Sequence, residues 1–222
     1  MAEWDEIRAL DIQGQGEKLL SALMATPAKG ARDWYNRGTA ALKQNQLGPA
    51  RAYLEKALSE NQMRPELPTP WIEKNLTVAT SRLQEKIGTA ATQEVRSWNE
   101  VLAEQPWFAP VESLVAIAAL LAGILMLRRK RLLPWLAAPI FFFALALPAF
   151  TARRTARTYA LVDTVLRSGP GSKFLEIGRV EAGCPLRYTG EHRSEGSEGW
   201  LQVRFENLAL GLLPEASVLR MR

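Results

Sequence analysis

The chain carries one cysteine, Cys184, and one histidine, His192, in 222 residues. A lone cysteine excludes an intrachain disulfide framework and any cysteine-based metal site. A lone histidine removes most metal and acid–base constellations, which need histidine in company. The sequence also lacks a phosphate-cradling glycine loop, a nucleophile elbow and a carboxylate cluster beside a histidine. These absences point to a non-enzymatic protein with no catalytic residue, no cofactor and no metal. Cys184 reads as a small residue in or near a strand. His192 lies in the polar run Gly190-Glu191-His192-Arg193-Ser194 and reads as a loop residue.

Charge is plentiful and unevenly placed. Lys and Arg total 28 against 23 Asp and Glu, a net +5. A basic balance can serve nucleic acid or a membrane surface. The densest positive charge flanks apolar segments, at Arg128, Arg129, Lys130 and Arg131 and again at Arg153, Arg154 and Arg157. No nucleic-acid recognition motif accompanies it, so no nucleic-acid partner is expected.

Composition divides the chain into three. Residues 1–106 are polar and helix-friendly, 107–152 are dominated by apolar runs, and 158–222 mix glycine with β-branched residues. Ser113–Leu127 and Leu132–Ala152 are uncharged, and Trp107 and Phe108 extend the first run on its amino side. A helix needs about 20 apolar residues to cross a bilayer, so two transmembrane helices are expected, at about 108–127 and 132–152, joined by the basic loop 128–131. Pro139 is expected to kink the second. The basic loop, set against the acidic flank Glu100, Glu104 and Glu112, predicts a cytoplasmic loop. The expected location is then a bacterial inner (cytoplasmic) membrane, crossed twice, with lipid as a partner and both flanking domains periplasmic. The start, Met1-Ala2-Glu3-Trp4-Asp5, has neither the basic start nor the apolar core of a signal peptide. Either a leader is expected upstream of Met1, the reading favoured here, or the topology is inverted.

In the first part, small and apolar residues fall at Trp34, Gly38, Ala41 and Leu42, then at Ala50, Leu54, Ala57 and Leu58. That is one face of each of two helices, broken near Asn45–Gly48. The pattern resembles the tetratricopeptide repeat, a helix–turn–helix of 34 residues, and is clearest over 31–64. Trp71, Asn75 and Val78 repeat the spacing of Trp34, Gly38 and Ala41 after a Pro-rich joint, Pro65 to Pro70. Thr69 is expected as the N-cap of that next helix, with Pro70 at its first position. A further helix is expected from Thr89 to about Glu104, and a degenerate first repeat over Trp4–Met24. The resemblance implies a peptide-binding groove faced by Arg32, Tyr35, Thr39 and Lys43. Simple solvated positions are the alternative for these four.

Over 158–222, short strand-like runs alternate with turn signals: Tyr159–Val165, Gly178–Val180, Leu186–Tyr188, Trp200–Phe205 and Leu208–Leu213. The rhythm indicates a small antiparallel barrel. Its turn Leu166-Arg167-Ser168-Gly169-Pro170-Gly171, Gly183 with Leu186, and Gly199-Trp200-Leu201-Gln202-Val203 resemble the bacterial SH3 (SH3b) domain. Leu212 stands where that family has a second aromatic. Arg167 and Trp200 are the candidate contacts here, with a core role for Trp200 equally open.

The expected fold class is therefore a multidomain membrane protein: an all-α helical repeat (1–106), a transmembrane hairpin (107–152) and a small all-β SH3-like barrel (158–222). This order, over about Ala31 to Arg222, resembles the BatE-like proteins of the Bat aerotolerance operons. The resemblance implies a scaffold whose protein partners are von Willebrand A-domain Bat proteins and a MoxR-type ATPase system, linked to stress or oxygen tolerance. The alternative is a peptidoglycan-binding or envelope-sensing protein.

Overall fold

Small residues at helical spacing let backbones approach closely, and the helical part of the protein is built on that. The computed structural model describes residues 16–89, 157–195, 198–205 and 209–221. The first stretch forms four helices: α1 (Gly16–Ala25), α2 (Ala31–Lys43), α3 (Leu47–Met63) and α4 (Thr69–Ile87). The break expected near Asn45–Gly48 is a turn in which Asn45 takes a φ of 57°, a left-handed conformation that asparagine tolerates. Ala41, Ala50, Tyr53, Leu54 and Ala79, from α2, α3 and α4, form one buried cluster. Leu19 and Leu23 of α1 meet Ala40 on another face of α2.

Polar groups fix the joints between these helices. Arg37 is buried, lies 4.8 Å from the Trp34 ring centroid and donates to the Thr26 carbonyl just past the end of α1. A cation at a helix C-terminus complements the exposed carbonyl dipoles there. Trp34 stacks on Tyr53 with ring centroids 5.8 Å apart. Burial pushes the Tyr53 hydroxyl above its ordinary pKa, opposed in part by Arg37, whose own pKa burial lowers. An unfolded tyrosine ionises near pH ~10. The folded state holds the Tyr53 proton beyond that point, so stability should fall as pH rises from about 10 toward the raised value. Chemical denaturation at increasing alkaline pH should show this loss, and Tyr53→Phe should lessen its slope. Equal slopes in the two proteins would contradict it.

Thr69 is not the N-cap of α4. Pro68 occupies that position without a side-chain cap, and Pro70 lies in the first turn. The Thr69 hydroxyl instead accepts from Asn61 Nδ2 at 3.3 Å. Asn61 is buried and secures the whole Pro-rich joint. Its Nδ2 donates to the Leu67 carbonyl at 3.0 Å, and its Oδ1 accepts from the amides of Glu66 (2.8 Å) and Leu67 (2.9 Å). Glu66 Oε2 in turn accepts from the Arg32 amide in the first turn of α2 at 3.1 Å.

The remaining described residues form an antiparallel sheet of seven strands: β1 (Arg157–Ala160), β2 (Thr164–Arg167), β3 (Glu176–Val180), β4 (Pro185–Glu195), β5 (Glu198–Phe205), β6 (Ala209–Pro214) and β7 (Val218–Arg220). Their spatial order is β3-β2-β6-β5-β4-β1-β7. Every strand contributes to one buried cluster: Ala160, Leu166, Val180, Leu186, Leu201, Val203, Leu213 and Val218, joined by Cys184. A flat sheet could not bring both its edges into one cluster, so the sheet curls around it. The run Tyr159–Val165 divides into two strands because Asp163 leaves the ladder and accepts the Ala182 amide at 2.8 Å. His192 lies within β4, opposite Leu201, rather than in a loop. The end of β4 forms a two-stranded ribbon with β5, so it needs no apolar alternation to persist. The pairing shifts between Tyr188 and His192, where Gly190 has a φ of 91°.

The expected fold class is corrected in two respects. First, the helices and the sheet are not separate modules: all described residues belong to one compact unit. Ala52 of α3 packs with Tyr159 and Met221. Arg51 donates to the Gly183 carbonyl at 3.1 Å and lies 5.5 Å from the Tyr159 ring centroid. Gly48 meets the turn 181–184 backbone to backbone; a Cβ on Gly183 would lie 2.8 Å from Gly48 Cα and 2.6 Å from Leu83 Cδ2. Second, no helix among the described residues is long and apolar enough to cross a membrane, which corrects the expected two-pass inner-membrane location with periplasmic domains. The 19-residue α4 carries Glu73, Lys74, Arg82, Glu85 and Lys86, and burying such charges in hydrocarbon is costly. The expected spans 108–127 and 132–152, the loop 128–131, the expected helix beyond Thr89 and residues 1–15 lie outside the described residues.

Candidate functional site

Helices α2 and α4 lie side by side, joined by a polar belt. Asn75 Nδ2 donates to both Tyr35 Oη and Thr39 Oγ1, each at 3.1 Å. One amide thereby bridges the two helices through directional hydrogen bonds. Ile72, Ala79 and Leu83 turn the adjoining face of α4 into the interior.

Around the belt, α4 presents Trp71, Lys74, Val78 and Arg82, spaced to share one face of a helix. All four are exposed, and Trp71 is 58% accessible. Arg32 and Lys43 are exposed on α2, at its two ends. Cations therefore outnumber acids along this face, where Glu85 closes the stripe on α4. An exposed indole within a frame of cations and hydrogen-bonding groups suits a protein or peptide ligand, since tryptophan and arginine dominate the energetics of such contacts.

Of the four residues expected to face a groove, Arg32 and Lys43 are open to solvent, while Tyr35 and Thr39 are half-buried and committed to Asn75. Arg167 is far from free. Its guanidinium donates to the carbonyls of Ser172 and Phe174, both at 3.1 Å, and pairs with Glu176 at 3.0 Å. It therefore staples the loop between β2 and β3. Trp200 is 4% accessible, so its indole is withdrawn from solvent.

Sequence reasoning missed Trp71 and Asn75 as site residues. Both stand in the repeat spacing, where Trp34 and Gly38 pack against α3. The signal was the polar Asn75 at the position of Gly38: a side chain that needs hydrogen-bond partners where its counterpart has none. Among the described residues no group of three or more His, Cys, Asp or Glu could hold a metal ion.

The chain matches no protein-family model, no curated protein and no solved structure.

Proposed function

We propose that the chain is a non-catalytic adaptor that binds partner proteins across the α2–α4 face. The observation that carries this reading is the exposed Trp71, set beside the Tyr35–Asn75–Thr39 belt and flanked by Arg32, Lys43, Lys74 and Arg82. A large aromatic left in water with hydrogen-bonded neighbours gains by being covered. The resemblance of residues 31–222 to tetratricopeptide-repeat, SH3b and BatE-like sequences supplies the partner class: a von Willebrand A-domain protein, working with a MoxR-type ATPase. The peptidoglycan reading needs an aromatic contact on the sheet. Trp200 is buried and Leu212 occupies the second aromatic position, so that reading is not favoured.

Binding of a purified von Willebrand A-domain partner tests the proposal. Trp71→Ala should weaken it at least about tenfold, equivalent to ~1.4 kcal/mol, with helix content unchanged by circular dichroism. The double variant Arg32→Glu, Lys43→Glu should lower the association rate and its salt dependence. Undiminished binding in both variants would reject the face.

A further inference from the structure

Among the described residues, three of the five large apolar side chains exposed outside the helices fall within residues 174–177. Leu175 is 76% accessible, and Phe174 and Ile177 beside it are also exposed. Phe174 and Leu175 lead into β3 and Ile177 lies within it; β3 is an edge of the sheet, so one side of its backbone has no strand partner among the described residues. The apolar loop is held in position. Arg167 ties it through Ser172, Phe174 and Glu176, and the Ser168 amide donates to the Leu175 carbonyl at 2.9 Å. In the β2–β3 ladder Leu166 faces Gly178 and Arg167 faces Glu176. Ile177 is therefore the extra residue of a bulge, which re-aims a side chain. Val180 points into the core, so Arg179 points outward.

Charge frames this patch. Lys173 and Arg179 are exposed at its two ends, and neither has an ion-pair partner among the described residues. The one acid between them, Glu176, is already paired with Arg167. An unpaired strand edge offers hydrogen bonds to another strand. The exposed apolar side chains and the two cations that frame them say what that strand should carry.

We propose that the β3 edge, with the loop leading into it, adds an extended segment of a partner protein whose two apolar side chains are flanked by carboxylates. This goes beyond the adaptor reading and rests on different residues, so either can fail alone.

The probe is the synthetic peptide Glu-Thr-Val-Thr-Val-Thr-Glu, titrated into the full chain while backbone amide shifts and hydrogen exchange are followed. Shifts at 173–180, with slowed exchange of β3 amides that do not bond β2, are expected. The Lys-ended analogue should bind at least about tenfold more weakly, and a peptide N-methylated at alternate amides should not bind. Leu175→Asp should abolish binding without changing the fold, because Leu175 packs so little. Arg179→Glu should turn the preference toward the Lys-ended peptide. Overturning results are equal binding of the two charge forms, shifts centred elsewhere or no shift, and β3 amides already protected without peptide, whether by this chain or by a second copy.

Discussion

Replacing Gly183 by valine should destabilise the protein by about 3 kcal/mol or more, read from chemical denaturation. Two costs combine. Gly183 has a φ of 87°, a region that costs an ordinary L-residue about 1–2 kcal/mol and a β-branched one more. The added side chain would also have no room, because Gly48 Cα and Leu83 Cδ2 stand 2.8 and 2.6 Å from the Cβ position. Overpacking of this kind costs about 1–3 kcal/mol. Backbone cannot step aside as a flexible side-chain tip can. Loss should appear in helices and sheet together, since the turn 181–184 is where α3 and the end of α4 meet the sheet. A variant whose sheet melts while the helices keep wild-type stability would show that this contact is not structural.

The second large effect is expected at Asn61. Asn61→Leu keeps the volume and removes every bond the amide makes. The amides of Glu66 and Leu67 lose their acceptor, and the Leu67 carbonyl loses a donor. Each polar group left unsatisfied away from water costs about 1–3 kcal/mol, and some of these groups will reach solvent, so a total of about 2–4 kcal/mol is expected. Asn61→Asp should be milder, since a carboxylate still accepts from both amides. Similar losses in the two variants would mean that Asn61 matters for packing rather than for holding the joint. Because Glu66 also accepts from the Arg32 amide, Asn61→Leu should loosen the start of α2 as well, visible as faster amide exchange at Arg32.

These two residues also mark where the sequence was legible and where it was not. Helical periodicity placed Trp34, Ala41, Leu54 and Ala57 on packed faces, because that pattern is local. Turn residues near Gly169 and Gly183 marked breaks between strands for the same reason. Asn61 gave no such signal. Its partners lie in an irregular joint that periodicity does not describe. The strand carrying His192 reads as a loop because residues 190–194 are polar throughout, although His192 pairs with the buried Leu201. Trp200 and Leu201 are adjacent and both buried, which strict alternation does not anticipate. The docking of helices on sheet depends on Gly48 and Gly183, two glycines distant in sequence with nothing local to connect them. The candidate site was half legible: α2 was identified from its repeat-like spacing, but α4 supplies the exposed tryptophan and the bridging amide. The apolar runs 113–127 and 132–152 read as membrane spans but lie outside the described residues, among which no helix is long and apolar enough to cross a membrane.

The most direct test of the adaptor assignment is amide hydrogen exchange of the full chain, with and without a purified von Willebrand A-domain partner. Slowed exchange over 32–43 and 71–82, with the sheet core unchanged, is the expected result. Binding that leaves both helical segments at their free rates would contradict the assignment of this face.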